Sequence, residues 1–308
     1  MGSDFQVISE LNVNDCSGVG ILGATSLVGE CLISLLTYRT PDVFAFSRST
    51  AQHNAESKVQ WLQLDEYSTS LQGQAATLKI SHWLSVAPIW ILPPYFSMLE
   101  SYGVRRIVTL SSTSRFTKDD SSDPDEQAIA LRLADAEARV QEWASSKGVE
   151  WIILRPTLLY GVGRDKNVTE ISRFIQRFGF FPIFGKATGL RQPIHVQDVA
   201  SACIAALESP IATNHAYNLS GGETITYREM VTRIFEFLHR PVRLLQVPLF
   251  AFRFIVSILR FIPRYRNWSS AMAERMNSDL VFDHSEATRD FGFKPRPFLL
   301  NAESVDSK

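Results

Sequence analysis

The segment GVGILGATSLVGECL, residues 18–32, leaves few folds open to the chain. An apolar run, VGIL, meets a glycine turn, and the residues beyond the turn place Leu27, Val28, Cys31, Leu32, Leu35 and Leu36 on one helical stripe. Strand, tight turn and helix in that order make the opening of a parallel βαβ unit.

The same alternation continues. VFAFS (43–47), VQWLQL (59–64), WLSVA (83–87), RRIVTLSS (105–112) and EWIILRP (150–156) read as strands between helix-like stretches, and EQAIALRLADAEARVQEWASSKG stays helical until Gly148 ends it. The expected fold is α/β: a Rossmann-type doubly wound parallel sheet with a smaller, interleaved C-terminal substrate region. Beyond Gly161, glycines and prolines break the pattern into short pieces. QPIHVQDVASACIAALES then gives a short strand, Asp198 as a helix cap and an apolar helix, with AYNLSGG as a further strand. The expected organisation is a flexible lead at 1–16, a dinucleotide-binding unit at 17–160 plus about 190–222, a substrate-binding region at 161–189 and 223–298, and a tail at 299–308. KDDSSDPDE (118–126) is expected to be an exposed loop.

In such a turn one glycine permits the bend, a second permits close approach of a pyrophosphate, and a third lets helix and strand touch. Gly23 and Gly29 hold the first and third positions, while Ser26 stands in the second. A small hydroxyl is tolerated there if the backbone is not forced to positive φ, and it can itself donate to a phosphate. The expected cofactor-binding residues are Gly23, Thr25, Ser26, Leu27, Val28 and Gly29 in the turn, with Arg48, Asp65, Ala87 and Pro156 at the ends of later strands. FSRS puts Arg48 where an acid would bind ribose hydroxyls, which favours the 2′-phosphate of NADP, with NAD as the other possibility; the plain alternative is a solvated surface arginine. Asp65 is either an adenine contact or an ordinary turn residue.

Formal net charge is −1 with both signs interspersed, which argues against a nucleic-acid groove and for small-molecule partners. Cys16, Cys31 and Cys203 have no paired or metal-like spacing, no HExxH or CxxC is present, and no metal is expected. The N-terminus lacks a secretory pattern, and a cytoplasmic location is expected. The apolar stretch 247–263 carries Arg253 and Arg260 and is too short to span a bilayer; it reads as a helix over a cleft, with attachment to a membrane surface as the lesser reading.

GATSLVG, IVTLSSTS, WIILRPTLLYG and RQPIHVQDVA together resemble the extended short-chain dehydrogenase/reductase family, in its NAD-dependent epimerase/dehydratase branch. The segment ending DFGFKPRPF is similar to the close of nucleoside-diphosphate-sugar epimerase-like proteins. The resemblance implies a catalytic tyrosine four residues before a lysine, yet none of the eight tyrosines has Lys at that spacing. Counting back from Glu137, which looks like the family's glutamate, puts Leu133 at the lysine position and Ile129 at the tyrosine position. Ser112 or Thr113, beside Ser111, corresponds to the catalytic hydroxyl, and an unassisted hydroxyl is a poor base. Arg191 resembles the family's diphosphate clamp, with Arg164 and Asn167 as companions. Asp135, Glu137, Tyr160, His195 and Lys118 are the substitute acid–base candidates, His195 reading first as a structural residue. The implied partner is a nucleotide sugar or related small molecule, and a homodimer is expected from the resemblance alone. Two functions follow: an atypical nucleotide-sugar epimerase, dehydratase or reductase, or a catalytically silent NADP-binding sensor or assembly protein.

Overall fold

The computed structural model describes residues 18–40, 42–48, 58–64, 78–119, 121, 123–248 and 270–301. Its centre is a seven-stranded sheet in the order β11-β6-β5-β4-β1-β2-β3, in which every neighbouring pair is parallel. The strands are β1 (Val19–Leu22), β2 (Val43–Ser47), β3 (Val59–Gln63), β4 (His82–Ser85), β5 (Arg106–Leu110), β6 (Glu150–Pro156) and β11 (His215–Leu219). The order reverses between β1 and β4, and a crevice opens outside the carboxyl ends of strands at such a switch point.

Alternation along each strand divides the core in two. Ile21, Leu84 and Val108 point to the face covered by α1 (Leu27–Leu36) and α6 (Val196–Glu208), whereas Leu22, Trp83 and Ile107 point to the face covered by α2 (Phe96–Tyr102) and α4 (Pro124–Lys147). Arg106 ties the first face together: its buried guanidinium donates to the carbonyls of Ala206 and Ala212 at 3.1 and 2.8 Å, and to that of Ser209, where α6 ends. A cation is favoured at a helix C-terminus.

The chain leaves the sheet after β6 and returns at β11. Between them lie β7 (Leu159–Tyr160), α5 (Val168–Phe178), β8 (Phe181–Phe184), β9 (Leu190–Arg191) and β10 (Ile194–His195), followed by α6. After β11 come β12 (Ile225–Thr226), α7 (Tyr227–Phe237), β13 (Leu244–Val247), α8 (Ser270–Arg275) and α9 (Ser285–Phe291). A third core, with Tyr160, Ile175, Ile183, Ile234 and Phe235 fully buried, joins α5, β8 and α7. Arg296 of the DFGFKPRPF segment docks back on α6, donating from its Nε to Asp198 at 2.8 Å.

Two sequence expectations are corrected. Asp198 does not cap α6; His195 does, its Nδ1 accepting from the Gln197 N–H at 3.2 Å, and Asp198 is taken up by Arg296. The tract 118–126 is not wholly an exposed loop, because Asp123 caps α4, Pro124 opens it and Glu126 is buried in its first turn. Pro at the first helical position beside acidic residues is a helix-start signal that outweighs the polarity of the tract. Gly148 ends α4 in the left-handed conformation, as expected.

Among the described residues no helix is long and apolar enough to cross a membrane. Val247 ends β13, and residues 249–263 of the apolar stretch lie outside the described residues, as do Cys16, Asp65, the lead 1–16 and the end of the tail.

Candidate functional site

At the turn after β1, Gly23 has φ +82°, and a Cβ there would stand 2.5 Å from the Ala87 nitrogen. A Cβ on Gly29 would stand 2.3 Å from the Gly23 carbonyl oxygen. Both positions therefore demand glycine. Ser26 does not: its φ of −76° and ψ of 164° are ordinary extended values, and its Oγ caps α1 by accepting from the Gly29 N–H at 3.1 Å. The Leu27 and Val28 N–H groups open the helix with no acceptor inside it, while the Val28 side chain is buried in the core.

A cavity of about 200 Å³ lies beside this turn at the switch point. Gly23, Thr25, Ser26, Arg48 and Ala87 line it, with Phe46, Leu92 and Tyr95 as its apolar wall. No Asp or Glu is among its described lining residues. The hydroxyls of Thr25 and Ser26 and the exposed Arg48 on its lining, beside the N-terminus of α1, make a donor set that fits a phosphorylated nucleotide. Among the sequence-named cofactor residues, Leu27, Val28 and Gly29 lie just behind this lining in α1, and Pro156 is also off it: it ends β6 and its carbonyl accepts from the Thr113 N–H at 3.2 Å and the Thr113 Oγ1 at 3.3 Å.

A larger cleft of about 740 Å³ opens between the end of the sheet and the third core. On one side are Ser112 and Thr113, followed by α3 (Ser114–Thr117) and Lys118. Opposite them are Asn167, Arg191, Tyr227 and Arg275. Ser112 Oγ accepts from the Ser114 N–H at 3.1 Å, which leaves its own proton to donate. Behind the hydroxyl turn, Glu137 is fully buried; it accepts from Ser111 Oγ at 2.6 Å, from Arg155 at 2.6 and 3.0 Å, and from Arg115.

The remaining sequence-named residues separate. Arg191 lines the cleft, but its guanidinium donates to the backbone carbonyls of Leu190 and Ser278, at 2.7 and 2.8 Å, and of Arg275. It also lies 5.6 Å from the centre of the Tyr227 ring. Burial lowers the Arg191 pKa and pushes the Tyr227 phenol up to about 12. Asn167 lines the cleft and donates from Nδ2 to the Leu159 carbonyl at 3.0 Å. Arg164 is not on the described wall; it is exposed and pairs with Glu30 in the first turn of α1. Leu133 is 3 % exposed inside the core of the α4 face, and Ile129 is 37 % exposed on α4. Asp135 is exposed beside Arg139, and Tyr160 is buried with its hydroxyl accepting from the Leu299 N–H at 3.3 Å.

Sequence reasoning passed over Arg275, Lys166 and Tyr227, all on the cleft wall. Tyr227 follows the cap residue Thr226 on α7, and Arg275 ends a short helix; nothing in their local patterns distinguishes them from surface residues.

Residues 95–220 match the model of the NAD dependent epimerase/dehydratase family. A UDP-glucose 4-epimerase of Vibrio cholerae is 22% identical over 203 residues, which cover 63% of this chain and 59% of the relative. NADH dehydrogenase [ubiquinone] 1 alpha subcomplex subunit 9, mitochondrial, of Arabidopsis thaliana is 29% identical over 118 residues, covering 38% and 29%. The chain thus spans less than two thirds of the length of either curated relative. Among solved structures, the epimerase Mth375 of Methanothermobacter thermautotrophicus superposes with a TM-score of 0.67 at 16% identity, covering 94% of this chain and 90% of that one. MoeE5 in complex with UDP-glucose and NAD gives 0.66 at 19% identity, covering 92% and 94%. At such identities these structures establish the shared fold.

Proposed function

We propose, for a chain whose residues 95–220 match the model of the NAD-dependent epimerase/dehydratase family, that it binds a nicotinamide dinucleotide at the Gly23–Gly29 turn and acts on a nucleotide-linked sugar in the larger cleft. The observation that carries this reading is the charge of the cleft wall: Lys166, Arg191 and Arg275 face it, against the single carboxylate of Glu170 among its described lining residues. Glu126 offsets Arg275 from just outside the wall, and the remaining positive charge suits the diphosphate of a sugar nucleotide.

Within that reading, Arg48 selects NADP, the larger cleft takes the substrate, and Arg191 and Asn167 hold it; Ser112 or Thr113 hydrogen-bonds the reacting sugar hydroxyl. When bound, the nicotinamide ring would accept or return hydride; the protein's part is to orient the sugar and exclude water. The absence of Tyr and Lys at positions 129 and 133 makes the acid–base chemistry non-standard. The relatives named for UDP-glucose support UDP-glucose as the first ligand to try. Calorimetry with UDP and UDP-glucose tests the reading, Lys166→Glu being the control: both ligands bind, more weakly to the variant, and absence of binding by either would refute a sugar-nucleotide cleft.

A second reading is a catalytically silent NADP-binding sensor or assembly protein. It is favoured by the apolar residues at 129 and 133 and by the likeness to a protein named as an NADH dehydrogenase subunit. Dinucleotide binding without any response to sugar nucleotides would select it.

A further inference from the structure

We propose that Lys118 is the group that exchanges a proton with the substrate in the larger cleft, filling the place left open by Ile129 and Leu133; this rests on the reading of the cleft as a sugar-nucleotide site. Of the five acid–base candidates in the sequence, four are committed elsewhere. Glu137 is fully buried against two arginines, Asp135 is exposed on α4 beside Arg139, Tyr160 is sealed in the third core, and His195 caps α6. Lys118 remains on the cleft wall, immediately after α3, the single turn of helix that separates it from Ser112 and Thr113.

Other ionisable groups on that wall fit the role less well. Lys166 and Glu170 are exposed at the opposite side, where α5 begins. Arg191 and Arg275 keep their protons. Tyr227 holds its proton still more firmly than a free phenol, because it is buried.

The charges around Lys118 come from two elements. Glu126 of α4 places Oε1 3.8 Å from the Lys118 Nζ; Arg275 of α8 pairs with the same carboxylate; Asp123 lies at the α4 cap. Ser121 Oγ also donates to Glu126, at 2.8 Å. Two cations therefore share one carboxylate that is already well engaged, and the lysine is the cation able to shed its proton. Burial first, and then the Arg275 charge, lower the Lys118 pKa, while Asp123 opposes the shift. A lysine that is desolvated beside another cation is a recognised way to obtain a neutral amine.

The step balances. The neutral Lys118 amine takes the proton of a sugar hydroxyl and becomes ammonium; the O–H electron pair forms the carbonyl as hydride leaves the carbon for an oxidised nicotinamide. In the reverse direction the Lys118 ammonium returns the proton to the oxygen.

The test reads ionisation directly. The unmodified protein is acetylated with acetic anhydride across the neutral-to-alkaline range, and each lysine is followed by peptide mass spectrometry with the exposed Lys186 and Lys294 as internal references. Expected is a Lys118 titration midpoint well below that of the references, a midpoint moved up toward them in Arg275→Gln, and slower labelling of Lys118 when UDP-glucose is bound. Binding of UDP-glucose together with a Lys118 that titrates like the references, or that UDP-glucose leaves unprotected, would overturn the role of Lys118 alone. Absence of calorimetric binding would overturn the sugar-nucleotide reading and this role with it. Because the unmodified chain supplies the decisive midpoint, misfolding of Arg275→Gln would not rescue the proposal.

Discussion

Arg155 at the end of β6 donates twice to Glu137 of α4, from Nε to Oε1 at 3.0 Å and from Nη2 to Oε2 at 2.6 Å. The same carboxylate holds Ser111, so one buried ion cluster fixes α4, β6 and the hydroxyl turn together. Removing one member of a buried pair strands the other's charge, at a cost of about 3–5 kcal/mol. Glu137→Ala should lose stability of that order in urea unfolding; a loss below about 1 kcal/mol would show that the cluster contributes little net stability.

Ser26 acts as a helix cap rather than as a damaged glycine. Ser26→Ala should therefore cost about 1 kcal/mol and Ser26→Gly only a few tenths. Equal losses in thermal or urea unfolding would contradict the capping role.

Leu133, which the count back from Glu137 sets at the lysine position, lies inside the core that also holds Ile89, Leu92 and Val140. An amine buried there without a partner pays desolvation or gives up its proton. Leu133→Lys, alone or with Ile129→Tyr, should destabilise the fold by more than about 2 kcal/mol. A stable variant with new dehydrogenase activity would show instead that position 133 faces a bound nicotinamide.

His82, at the start of β4, has its pKa lowered from 6.5 by burial first and by Arg106 next, with Arg105 acting the same way and Glu150 opposing. A depressed histidine pKa means that the unfolded chain takes up the proton first as the pH falls. The contribution of His82 to stability is complete above about 6.5 and is lost as the pH falls from there through its lower folded value. Urea midpoints should show that decline, and in His82→Gln this part of the slope should be absent; an unchanged slope would assign the acid sensitivity to other groups.

The sheet was legible because each strand is an apolar run between helical stripes, and because Gly23 and Gly29 are required by contacts within one strand-turn-helix unit. The family resemblance was legible from four ordered motifs and agrees with the match over residues 95–220. Asp198 misled because an acid near a helix start looks like a cap, whereas its partner Arg296 is 98 residues away. The cleft wall was largely illegible for the same reason: Lys118 and Arg275 meet across a carboxylate on a third element, and spacing along the chain carries no record of such meetings. Arg164 looked free to hold a substrate, yet it pairs with α1, whereas Arg191 keeps its place on the cleft wall, its guanidinium held there by backbone carbonyls.

Titration of the purified, cofactor-free protein with NADPH and, separately, NADH, followed by nicotinamide fluorescence, tests most directly whether the turn around Ser26 binds a dinucleotide and Arg48 reads its 2′-phosphate. Expected is binding of NADPH, weakened about tenfold or more, or ~1.4 kcal/mol, by Arg48→Glu, with a smaller effect on NADH. Failure of both dinucleotides to bind, or an NADPH affinity indifferent to Arg48→Glu, would contradict it.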